Sequence, residues 1–271
     1  MQFSSEILGA ISENERRHFA GFAESIGYAE RLLHQYNMQK KPRFTGATTD
    51  PLGEIQENSR LAFVLTWTKA ILFSRAIVNE INAGNLLVAF QALRGYVELV
   101  AAARYTINRM KPLVIDASAS GQVSSIVGKK LTEHLQILLH GGRFDWATYF
   151  EEGPAAILDK KRMKRTQQQK SQFENSSLRI GNCITDWAKD NPSVEFIYDY
   201  LCDLVHPNKG SNLILLVDSE EGVIFDADRR SRIGMLILER IFPYVASMCL
   251  GAMSEIHPFF AILLAEDQVL H

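Results

Sequence analysis

Residues 60–110 read RLAFVLTWTKAILFSRAIVNEINAGNLLVAFQALRGYVELVAAARYTINRM, and this stretch decides the fold class. Two long apolar runs, 59–82 and 86–110, flank a turn made of Asn82, Ala83, Gly84 and Asn85. Each run reads as a long helix. So short a connection returns the chain antiparallel, and the stretch predicts a pair of helices packed side by side.

Working outward, residues 4–38 place Ile7, Leu8, Ile11, Phe19, Phe22, Ile26, Leu32 and Leu33 at roughly helical spacing with charge between them, which predicts one or two amphipathic helices. Residues 40–54, KKPRFTGATTDPLGE, hold two prolines, two glycines and three threonines and read as a loop. The chain therefore divides into an N-terminal helical extension, 1–45, and a helical-bundle domain, 55–271. Beyond Pro112 the small, polar segment IDASASGQVSS predicts a second loop. SIVGKKLTEHLQILLHGG then predicts a helix closed by Gly141 and Gly142 in the left-handed conformation that ends helices. Residues 155–190 read as further helix, and Asn191 with Pro192 reads as an N-cap and first helical position. NLILLV and VIFDA, joined by an acidic turn, predict a small β-hairpin near residues 212–226. A long helix over about 229–255 completes a mainly α multi-helix bundle.

The 271 residues are 46% hydrophobic, enough for a sizeable core, and the formal charge of −2 gives no overall field for holding nucleic acid or an anionic membrane. Cys183, Cys202 and Cys249 are widely separated, which fits reduced thiols in a cytosol rather than a disulfide framework or zinc ribbon. The N-terminal stretch carries acids and arginines where a signal peptide needs an apolar run. The most apolar region, 233–265, is interrupted by Glu239, Arg240, Glu255 and the His257-Pro258 pair, and reads as a buried helix rather than a membrane span. A cytoplasmic protein without membrane contact is expected.

Chemistry concentrates at two places. Within residues 86–103 Arg94 and Glu98 are the only charged residues, one turn apart on a helix apolar on nearly every side. Arg94 shares a face with Phe90, Val97 and Ala101, so it points into or along the edge of a core. One reading is an ion pair that sets helix register. The other makes Arg94 an anion or phosphate binder and Glu98 its orienting partner or a general base.

The second place is YDYLCDLVHPNKG, residues 198–210. Val194, Ile197, Leu201, Leu204 and Val205 form one face of its helix, and Glu195, Asp199, Asp203 and His206 form the other. A solvated acidic stripe ending on a helix-terminal histidine is one account. In the other, Asp203 tunes His206 for acid–base work near neutral pH, with Asn208 beside it as a ligand contact. A metal-dependent hydrolase built on Asp203 and His206 lacks a visible second ligand set, and no metal or cofactor is expected. The run 159–170, DKKRMKRTQQQK, concentrates six basic residues with one acid. Lys160, Lys161, Arg162, Lys164 and Arg165 are its candidate nucleic-acid contacts, without interleaved aromatic residues for base stacking.

QALRGYVELVAAARY and YDYLCDLVHPN together resemble a bacterial family of all-helical proteins distantly related to the HEPN (higher eukaryotes and prokaryotes nucleotide-binding) superfamily, over about a third of the chain. The resemblance implies a helical bundle that forms a homodimer and binds nucleotide or RNA, with ribonuclease activity in many members. In those members an arginine a few residues before a histidine holds the phosphate while the histidine assists attack by the ribose hydroxyl. Here Asp199 and Tyr200 stand at the arginine's spacing before His206, so Arg94 would have to supply that cation from another helix. The alternative class is a non-catalytic helical interaction or scaffold protein.

Overall fold

In the computed structural model, residues 1–39, 51–120, 124–140, 178–207, 209–219, 222–225 and 232–264 are described. Among them are nine helices and one two-stranded hairpin: α1 (Ser5–Ala10), α2 (Glu13–Gln39), α3 (Pro51–Ala83), α4 (Leu86–Ser120), α5 (Ser125–His140), α6 (Ile180–Ala188), α7 (Ser193–Val205), α8 (Lys209–Leu213), β1 (Leu216–Ser219), β2 (Gly222–Phe225) and α9 (Arg232–Leu264). The mainly α bundle read from the sequence is the observed fold.

The expected antiparallel pair is α3 and α4. Gly84 takes the left-handed conformation at φ 77°, which ends α3 and lets the chain reverse at once into α4. Packing between the two is close because Gly95 has no side chain. A Cβ there would lie 2.5 Å from Cε1 of Phe73. At the next position on each helix, the buried Tyr96 and Ser74 hydroxyls hydrogen-bond to each other across the same seam, and burial in apolar surroundings pushes the Tyr96 phenol well above its usual range.

Helix α4 is the axis of the bundle, packing against α3, α5, α6, α7 and α9. It runs through Pro112 to Ser120, where a loop was expected. Pro112 is exposed, and buried Val114 and Ala117 keep the final turns docked. Likewise α3 begins at Pro51 and α9 continues through Pro243 and Pro258 to Leu264, because buried Ile256, Phe259, Phe260 and Leu263 hold its last turns in the core.

The N-terminal helices share that core. Phe3, Phe19 and Phe22 form one aromatic cluster with Phe242 of α9, the Phe19 and Phe242 rings stacked at 4.1 Å. Polar contacts pin the same arm: Ser4 N donates to Asn82 Oδ1 at 2.8 Å, and Ser12 N donates to Glu239 Oε1 at 2.8 Å.

In the hairpin, Leu216 pairs with Phe225 and Ser219 with Gly222 in antiparallel register. It starts later than NLILLV suggests, since Lys209–Leu213 forms the short helix α8.

By length and composition three stretches, Gly53–Ala83, Leu86–Ala117 and Arg232–Leu264, are able to cross a membrane, with 50%, 61% and 39% of their most apolar windows buried in the fold. Exposed charge nonetheless lies on all three: Lys69 and Arg75 on α3, Arg109 on α4, and Arg240 and Glu255 on α9, of which Arg75 and Glu255 pair with Glu30 and Arg104 of neighbouring helices.

Candidate functional site

The site begins with two charged residues on an otherwise apolar helix. Phe90, Val97 and Ala101 are fully buried, which leaves the neighbouring side chains of Arg94 and Glu98 at the edge of the core, 21% and 29% exposed. There the Arg94 Nε donates to Glu98 Oε1 at 3.0 Å. Tyr198 of α7 donates its hydroxyl to the same oxygen at 2.9 Å, and the Arg94 guanidinium carbon lies 5.7 Å from the Tyr198 ring centroid. Helix α7 is thereby joined to α4 by a carboxylate with two donors and by a cation near an aromatic face.

The electrostatics agree with that closed arrangement. Burial works against the Arg94 charge, but the Tyr198 hydroxyl and the Glu98 carboxylate outweigh it and hold the guanidinium pKa above its ordinary value. Burial, together with the bond to Glu98, pushes the Tyr198 phenol up to about 12, against the opposing pull of Arg94. Cys202, half-buried one helical turn after Tyr198, also acts electrostatically on Arg94.

Asp203 and His206 lie at the other end of α7. His206 is its C-cap, in extended backbone at φ −80° and ψ 151°, with its own N–H bonded to Cys202 O at 3.1 Å. Pro207 favours that extended conformation and stops the helix. The His206 side chain is exposed and makes no hydrogen bond or ion pair among the described residues. Asp203 is also exposed and sits against α8, where a Cβ on Gly210 would collide with its carboxylate. Eight residues of helix, about 12 Å at 1.5 Å per residue, separate Tyr198 from His206. The structure thus brings Arg94 and Glu98 together with Tyr198, and puts Asp203 about one and a half turns and His206 about two turns further along α7.

Asn208 and the basic residues Lys160, Lys161, Arg162, Lys164 and Arg165 lie outside the described residues, as do Gly141 and Gly142. At the start of α7 the Asn191 side chain does not cap the backbone. It accepts from Ser193 Oγ at 2.6 Å, while Asn191 O receives the Val194 N–H. No cluster of three or more His, Cys, Asp or Glu residues suited to a metal ion occurs among the described residues.

Three features escaped the sequence reading. One is Tyr198, which stands at the border of an apolar and an acidic face of α7 and from there reaches the half-buried Glu98. Arg104, 13% exposed, bonds Asp190 at 2.7 Å and also Glu255, tying α4 to the α6–α7 connection and to α9. Further along α4, Arg109 lies over the Tyr105 ring at 4.4 Å and faces His134 of α5 and Asp186 of α6. Burial, then the Arg109 charge, hold His134 below the usual imidazole range. Tyr105 is one turn from Arg109, but nothing local in the sequence marks Asp190, Glu255, His134 or Asp186 as partners.

No protein-family model matches the chain, no curated protein matches it, and no solved structure matches its fold.

Proposed function

We propose that this chain is a non-catalytic helical interaction protein, in which the Arg94–Glu98–Tyr198 cluster fixes how α7 sits on α4 so that the outer face of α7 meets a partner. One observation carries the reading: Glu98 Oε1 accepts from both Arg94 and Tyr198, which commits Arg94 to a seam between helices. Among the described residues the exposed His206 has no hydrogen-bonded neighbour to orient it as a general base. Exposed charged side chains on α3, α4 and α9 support an aqueous setting, since lipid-facing charge is costly. The test is RNA cleavage by the wild-type chain beside Arg94→Ala and His206→Ala. The expected outcome is no cleavage by any of the three and a lowered melting temperature for Arg94→Ala alone. Cleavage by the wild type that disappears in a folded His206→Ala chain overturns the reading.

A second reading, nucleotide or RNA binding of the HEPN kind by a homodimer, draws on a different observation. The two helices that carry the resemblance, α4 and α7, pack directly on each other, and the Arg94 side chain keeps 21% of its surface open at their junction. It predicts that a fluorescent nucleotide or short RNA binds the wild type and is lost on Arg94→Ala.

A further inference from the structure

We infer that the outer face of α7 is a docking surface for an arginine-rich basic segment of a partner protein. The inference rests on the interaction-protein reading above and names the partner's chemistry.

The surface is built around an aromatic pair. Phe196 is 68% exposed, an unusual position for a phenylalanine, and its ring stacks on Tyr200 with centroids 6.3 Å apart and planes at 28°. Tyr200 packs against the core, so the pair is anchored from below and presented outward. The opposite side of α7, through Val194, Ile197, Leu201 and Leu204, is buried, and the Tyr198 bond to Glu98 sets the rotation of the helix. The aromatic pair is therefore held facing out.

Charge identifies the occupant. Glu195 and Asp199 each precede one member of the pair, both are exposed, and neither has a hydrogen-bond or ion-pair partner among the described residues. Asp203 continues the negative stripe one turn on, and α7 contains no basic residue. Nucleic acid and anionic lipid are repelled by these carboxylates. A second copy offering the same face brings like charges together, which is unfavourable for an isologous pair. A basic peptide meets the carboxylates favourably. Arginine suits the site better than lysine because its planar guanidinium stacks on an aromatic ring while donating to a carboxylate beside it.

The experiment is fluorescence anisotropy on the full chain with labelled oligo-arginine and oligo-lysine peptides of equal length. Circular dichroism melts of each variant check the fold. Oligo-arginine is expected to bind about 5-fold more tightly than oligo-lysine. Binding of oligo-arginine is expected to weaken about 10-fold in Phe196→Ala and in the Glu195→Gln/Asp199→Asn double variant, both folded. Unchanged affinity in either variant, or equal affinity for the two peptides, overturns the inference. So does self-association of the free chain that Phe196→Ala abolishes, which assigns the face to a second copy. Loss of RNA cleavage in His206→Ala rejects the non-catalytic reading by itself, and leaves the peptide measurements to decide the role of α7.

Discussion

Arg94 and Arg104 stand ten residues apart on the same helix, both largely buried and both paired, yet they do different work. Arg94 bonds a carboxylate one turn away on its own helix and reaches a second element only through Tyr198. Arg104 bonds Asp190 and Glu255, 86 and 151 residues distant, and so clamps α4 to two other segments. A local ion pair orients one helix neighbour. A long-range clamp closes the bundle, and its loss is felt in more of the fold.

The largest effect that tests this contrast is expected from Arg104→Ala. With no cation between them, Asp190 and Glu255 stay solvated at 60% and 58% exposure, so the cost is that of the lost charged hydrogen bonds, about 2–3 kcal/mol by thermal or urea unfolding. Arg104→Lys should recover less than half of that loss, because one ammonium does not span both carboxylates as the guanidinium fork does. Arg94→Ala is expected to cost less, about 1–2 kcal/mol, since Glu98 keeps its bond from Tyr198. Equal losses for the two arginines contradict the difference drawn between them.

Tyr198→Phe isolates the inter-helix part of the Arg94 cluster and should cost about 1 kcal/mol at neutral pH. It also carries a pH signature. The folded phenol titrates at about 12, above the ordinary value of about 10, so its contribution is complete below pH 10. That contribution is lost as pH rises through 10 to 12, where the unfolded chain ionises first. Stability of the wild type should therefore fall more steeply than that of Tyr198→Phe in this window, and tyrosinate absorbance should show one fewer late-titrating phenol in the variant. The smallest effect belongs to His206→Ala, an exposed helix end, where unfolding free energy should change by less than about 0.5 kcal/mol.

How much was legible follows the same division. Helix period and the four-residue turn at 82–85 are local properties, and they were enough for α3, α4 and the mainly α class. Prolines misled in proportion to the packing around them. Pro112 and Pro258 read as breaks, but buried neighbours such as Val114, Ala117, Phe259 and Phe260 hold the helix on either side. The Arg94–Glu98 pair was legible because its partners are one turn apart. Its third member, Tyr198, is 100 residues away.

By itself, the sequence determined the mainly α class, the central antiparallel helix pair, which faces are apolar, and that a charged pair interrupts the most buried helix, since all of these depend on neighbours within a few residues. Only the tertiary structure decided which charges meet. Hydrogen bonds are satisfied in space regardless of chain separation, so the Tyr198 bond to Glu98, the Arg104 clamp and the Ser74–Tyr96 contact leave no periodic trace. The same structure set the rotation of α7, along which Asp203 lies about 7.5 Å and His206 about 12 Å beyond Tyr198. It also turned Phe196, one residue before the buried Ile197, outward to solvent.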